Sequence, residues 1–101
     1  MSEANAKDEG MRTPNDAFAP NPDVVAQRVQ GEVVLVHLRT NEIYTLNETG
    51  ARAWELLVDG QARSAIRADL AKEFTADEDQ VGLELDQLLD ELLAKQLIER
   101  A

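Results

Sequence analysis

The chain has 101 residues, 10 Lys and Arg against 20 Asp and Glu, a formal net charge of −10 and no cysteine. That length fits one domain. The acid excess argues against nucleic acid and anionic membranes, both of which are held through Lys and Arg, and the lack of thiols excludes disulfides, thiolate zinc sites and cysteine nucleophiles.

Residues 1–23 hold all three prolines, at positions 14, 20 and 22, among Ser, Asn, Asp and Glu with few large apolar side chains. They read as a disordered tail, with Phe18 a loose, exposed aromatic, and the folding unit is assigned to 24–101. MSEANAKDEG offers no apolar stretch for a signal peptide, and the longest aliphatic run, VVLV at 33–36, is far too short to cross a bilayer. A cytoplasmic protein with no membrane contact is the expectation.

VVAQRV at 24–29 is rich in β-branched residues and predicts a first strand. Gln30, Gly31 and Glu32 make a turn, with Gly31 free to take positive φ. VVLVHL at 33–38 is an unbroken apolar run, which suits a central strand covered on much of both faces. Arg39, Thr40 and Asn41 turn the chain again into EIYTL at 42–46, so three short strands form an antiparallel meander. On the third strand Glu42, Tyr44 and Leu46 point one way, and Ile43 and Thr45 the other. Either face therefore carries an apolar side chain. As the last strand of a meander it lies at the sheet edge, with a row of unpaired N–H and C=O groups.

The period then changes from two to that of a helix. Asn47 is a good N-cap and Glu48 puts negative charge in the first turn. Ala51, Trp54, Leu57 and Val58 fall on one face, and Asp59-Gly60 ends the helix. A second helix carries Ala62, Ile66, Leu70 and Phe74 at steps of four, with a poorly marked start. The third spans about 78–95, with Asp77 as cap and Gln80 placed for a capping box. Its stripe of Val81, Leu85, Leu88 and Leu92 is broadened by Leu89 and Leu93 and bordered by Glu78, Asp79, Glu84, Asp86, Asp90 and Glu91. Leu97 and Ile98 are expected to return to the core. An open strand edge beside an apolar helix stripe is the arrangement that captures a peptide as an added strand.

Catalytic signals are missing. His37 is the only histidine and reads as an ordinary strand side chain. No P-loop, GxGxxG, GxSxG or HExxH occurs, the acids of the third helix do not form a calcium loop, and Thr49 and Ser64 have no plausible base. The chain reads as a binding protein with no cofactor and no metal, not as an enzyme.

TNEIYTLNETGARAWELLVDG at 40–60, then AIRADLAKEF and a leucine-rich helix ending in KQLIE, resembles the PqqD-like family, whose wider class is the recognition element for precursors of ribosomally synthesised, post-translationally modified peptides. The likeness covers about 24–99, and its most specific part is LNETGARAW. It implies an α+β fold: a small winged-helix-type domain, with a three-stranded antiparallel sheet followed by three helices. It also implies a function, to bind the leader segment of a precursor peptide and present the core to a modifying enzyme such as a radical SAM enzyme, a protease or a cyclase. Carried over by position, the leader lies along Glu42, Ile43, Tyr44, Thr45 and Leu46. The facing helix wall draws on Glu84, Leu85, Leu88, Leu89 and Leu92.

Two features depart from the family pattern. Ala62 and Arg63 stand where a Ser or Thr cap and an apolar residue are usual, and VHLRTNEIYTLN is unlike the narrow group serving pyrroloquinoline quinone synthesis. The natural-product class is therefore left open. Two other readings compete: a winged-helix transcription regulator, which would need a basic recognition helix where this chain has an acidic one, and a general interaction module that dimerises through its open edge.

Overall fold

The structure, a computed structural model, describes residues 17–101. Its elements run β1 (Phe18–Pro20), β2 (Val24–Val29), β3 (Glu32–His37), β4 (Ile43–Leu46), α1 (Glu48–Val58), α2 (Arg63–Glu73), α3 (Glu78–Ala94) and β5 (Ile98–Arg100). β2, β3 and β4 form the expected antiparallel meander in that order, and β1 and β5 form a separate antiparallel pair.

That second pair corrects the reading of residues 18–23 as tail. Phe18 lies opposite Arg100 and Pro20 opposite Ile98. The Phe18 side chain is only 7 % exposed and belongs to the core, with the Arg100 guanidinium 5.6 Å from its ring centre. The Asn21 amide donates to the Leu97 carbonyl (3.1 Å), and its side chain donates to the Gln96 carbonyl (2.9 Å). Proline excludes a helix here but is tolerated on a short edge strand, so the segment is tied to the chain end by ladder and core contacts. The remainder of the predicted tail, residues 1–16, lies outside the described residues.

In the meander, Val33, Leu35 and His37 of β3 face the helices and are buried, while Val34 and Val36 on the other face are half-buried. The central strand is thus covered fully on one face only. The tight turn from β2 to β3 places positive φ on Gln30 (59°) rather than on Gly31; Asn41 takes φ 65° in the following turn.

Asn47 ends β4 and starts α1 in one step. Its Oδ1 accepts from the Gly50 amide (2.9 Å) and its carbonyl accepts from the Ala51 amide (2.7 Å). A Cβ on Gly50 would stand 3.3 Å from that Oδ1 and 3.4 Å from the Leu46 side chain, so the smallest residue sits where strand and helix meet most closely. Gly60, at φ 88°, ends the helix as predicted. α1 buries Ala51, Ala53, Trp54, Leu56 and Leu57. Val58, expected on the buried face, is exposed at the last residue of α1, as is Phe74, the residue that caps the end of α2.

α2 has Ala62 at its N-cap with no side-chain bond, and it buries only Ile66 and Leu70. Ion pairs anchor it on both sides: Arg52 to Glu73 (2.9 Å) from α1, and Arg63 to Asp86 of α3. The Arg52 partner holds the Glu73 carboxyl below its usual range, and Arg63 does the same for Asp86. On α3, the Asp77 side chain accepts from the Gln80 amide (3.1 Å), but the Gln80 side chain bonds Glu84 (2.9 Å), so the capping box is half made. Leu97 and Ile98 are buried, as expected.

Candidate functional site

β4 pairs with β3 through Val33↔Leu46, Val34↔Thr45, Leu35↔Tyr44 and Val36↔Ile43. Its other side has no strand partner among the described residues. Which of its backbone groups are free follows from one bond. The His37 amide donates to the Glu42 carbonyl (2.9 Å), so Glu42 faces β3. Antiparallel partners alternate between bonded and non-bonded pairs. Tyr44 and Leu46 therefore bond inward to β3, and the N–H and C=O of Ile43 and Thr45 point to the free edge.

Beside that edge lies an open cleft of about 260 Å³ between β4, the start of α1 and α3. Tyr44, Thr45 and Leu46 form the strand wall, Val81, Glu84, Leu85 and Leu88 the helix wall, and Asn47, Thr49, Gly50 and Ala53 the floor. It is smaller than the ~300–1,000 Å³ typical of small-molecule pockets, a size that suits a few side chains of an extended chain. Tyr44 spans one end. Its hydroxyl donates to a Glu91 carboxylate oxygen, and Lys95 Nζ stands 5.9 Å from its ring centre. The bond to Glu91, then burial, then the negative charge of Glu91 push the Tyr44 pKa up to about 12.

Of the predicted site residues, Tyr44, Thr45, Leu46, Glu84, Leu85 and Leu88 line this cleft. Ile43 offers its backbone to the edge but turns its side chain to the other face of the sheet, 68 % exposed. Glu42 lies just before β4 and bonds inward through its carbonyl. Leu89 and Leu92 are buried in the core beneath the helix wall and do not line the cleft. The floor, Asn47 to Ala53, is absent from the predicted set. Its signal was present in LNETGARAW, where small and capping residues let α1 begin directly under the strand.

Outside the cleft, His37 is 2 % exposed, and its Nδ1 accepts from the Arg39 amide (3.2 Å). Among the described residues, no group of three or more His, Cys, Asp or Glu could hold a metal ion, and no helix is long and apolar enough to cross a membrane.

Residues 32–98 match the family described as coenzyme PQQ synthesis protein D (PqqD). No curated protein matches the chain. One similar solved structure is TbiB1 in complex with the TbiA(beta) leader peptide, at 32 % identity and a TM-score of 0.77 over 80 % of this chain and 94 % of that one. Another is lasso peptide synthetase B1 complexed with the leader peptide, alike in fold at 21 % identity and a TM-score of 0.74, over 80 % of this chain and 95 % of that one. The family match begins at the first residue of β3 and ends at the first of β5, enclosing the open edge, the cleft and all three helices; the chain belongs to the PqqD family.

Proposed function

We propose that this chain binds the leader segment of a ribosomally made precursor peptide as an added strand on β4 and presents it to a modifying enzyme, acting as a binding module without catalysis of its own. The observation that carries this reading is the open edge of β4 set directly against a cleft of mixed polarity whose walls carry Leu46, Leu85 and Leu88. Membership of the PqqD family supports it, as do the two similar chains, each solved with a leader peptide.

The guest bonds the free N–H and C=O groups of Ile43 and Thr45. Each bond contributes roughly 0.5–1.5 kcal/mol net and together they set the register. Guest side chains on the same face as Tyr44 and Leu46 enter the cleft against Leu85 and Leu88, and that burial, at ~25 cal/mol per Å², is the main driving force. Ordering of a flexible leader opposes both terms. The balance gives micromolar to high-nanomolar binding, about 8–10 kcal/mol. Holding the leader raises the local concentration of the attached core peptide at a partner such as a radical SAM enzyme, a protease or a cyclase. A cytoplasmic setting, where precursor and enzyme meet, belongs to this reading. The acidic flank of α3 (Glu84, Asp90 and Glu91) serves basic leader residues or the enzyme itself, so strong salt should weaken one of those contacts.

Amide exchange tests the edge directly. In the free chain the Tyr44 amide is protected by β3, while those of Ile43 and Thr45 exchange quickly. On titration with a cognate leader, Ile43 and Thr45 become protected. Saturable binding that leaves both amides exchanging as before would put the site elsewhere.

A further inference from the structure

The register of the meander sorts the outer face of the sheet, the one turned away from the helices, into two cross-strand rows. Val25, Val36 and Ile43 stand opposite one another across β2, β3 and β4, and Gln27, Val34 and Thr45 form the adjacent row. Side chains directly opposite on one face of a sheet pack together. The first row is wholly β-branched and apolar; the second is mixed and ends in a hydroxyl. At the ends of the first row Val25 is 48 % and Ile43 68 % exposed, whereas Val36 between them is half-buried by its neighbours. The aliphatic row runs out at the free edge on Ile43, which has no strand beside it among the described residues, and an added strand would extend it.

We propose that the bound peptide is read on both faces, and that Ile43 is a specificity-determining residue on the outer one. This rests on strand addition to β4. A guest side chain opposite Tyr44 or Leu46 enters the cleft, one opposite Ile43 extends the aliphatic row, and one opposite Thr45 meets the mixed row. The guest is thus a peptide with apolar residues at three of four successive positions, those facing Ile43, Tyr44 and Leu46, and with free choice facing Thr45. The occupant follows from continuity: the strand that fills the cleft carries its alternate side chains onto this row without further movement.

The test uses the full chain and a displayed library of random twelve-residue peptides, selected in parallel on the wild type and on Ile43→Ser. Ile43 is outside the cleft and mostly exposed, so this change leaves the fold intact. Wild-type selection should enrich the apolar, apolar, free, apolar pattern, read in either chain direction. Selection on Ile43→Ser should keep the two cleft positions and lose the preference at the third. For one selected peptide, Val→Ser at that third position should weaken wild-type binding on the order of two- to fivefold and leave the variant unchanged. Equal preference at that position on both proteins, or none on the wild type while the cleft positions are enriched, overturns the role of Ile43 and spares leader capture. Recovery of no peptide that protects the Thr45 amide overturns both.

Discussion

Leu88 sits at the meeting of core and cleft: half-buried, on the helix wall, opposite Tyr44 and Leu46. Leu88→Glu would set an unpaired charge where a guest side chain is to be buried, at a cost that outweighs any single contact the guest could offer. Leader binding by calorimetry should be abolished, whereas the melting temperature should fall less than for a fully buried leucine such as Leu85 or Leu92, because the glutamate can turn to water. Tyr44 acts differently. Its hydroxyl bond to Glu91 joins β4 to α3, and its pKa in the fold lies near 12 against an ordinary 10.0. A raised pKa means that the fold favours the protonated phenol. The stabilisation is complete below pH 10 and disappears as pH climbs through about 12. Melting curves of the wild type should therefore lose stability faster over that window than those of Tyr44→Phe, which cannot ionise at this position. Parallel curves would mean that the bond contributes nothing in solution.

At the scale of elements, β4 is a strand with two kinds of residue. Tyr44 and Leu46 bond inward, and Ile43 and Thr45 keep their backbone groups for the edge. Proline removes one N–H, so its effect depends on parity. Thr45→Pro deletes an edge donor and spares the β3 ladder; it should weaken leader binding about two- to tenfold with native far-ultraviolet dichroism. Tyr44→Pro breaks the β3–β4 ladder, and it should lower the urea midpoint sharply. Equal loss of fold in both variants would refute the assigned alternation. That parity was not readable from the sequence, which gives side-chain alternation but not the bonding phase; the His37–Glu42 bond settles it. Asn47 and Gly60 were legible because capping and positive φ select their residue types. Phe18 was not, because its burial depends on β5, some eighty residues away, and a proline-rich segment gives no local sign of such pairing. The helix wall was half legible. Periodicity places Leu85, Leu88, Leu89 and Leu92 on one broad stripe but cannot say which of them the neighbouring elements cover: Leu85, Leu89 and Leu92 are buried in the core, and of these only Leu85 also reaches the cleft.

For the whole molecule, an open strand edge beside a cleft invites a second copy as readily as a guest. Two features oppose this. The net charge of −10 repels like chains at long range, and Glu42 before β4, Glu84 in the cleft and Glu91 bonded to Tyr44 set acids around the edge, so that two β4 strands brought together would also bring together two acidic α3 flanks. A flexible leader with basic or neutral flanks meets no such barrier, so the same charge that keeps the chain apart from itself leaves the edge available. Screening should remove the distinction. At ~1 M salt, where the Debye length falls to ~3 Å, sedimentation should detect dimers at concentrations that give monomer in dilute buffer, and added leader peptide should dissolve them by taking the edge. Thr45→Pro should stay monomeric in the same salt. A salt-induced dimer that persists in Thr45→Pro and ignores the leader would form through another surface, and acidity around the edge would then have no part in keeping it open.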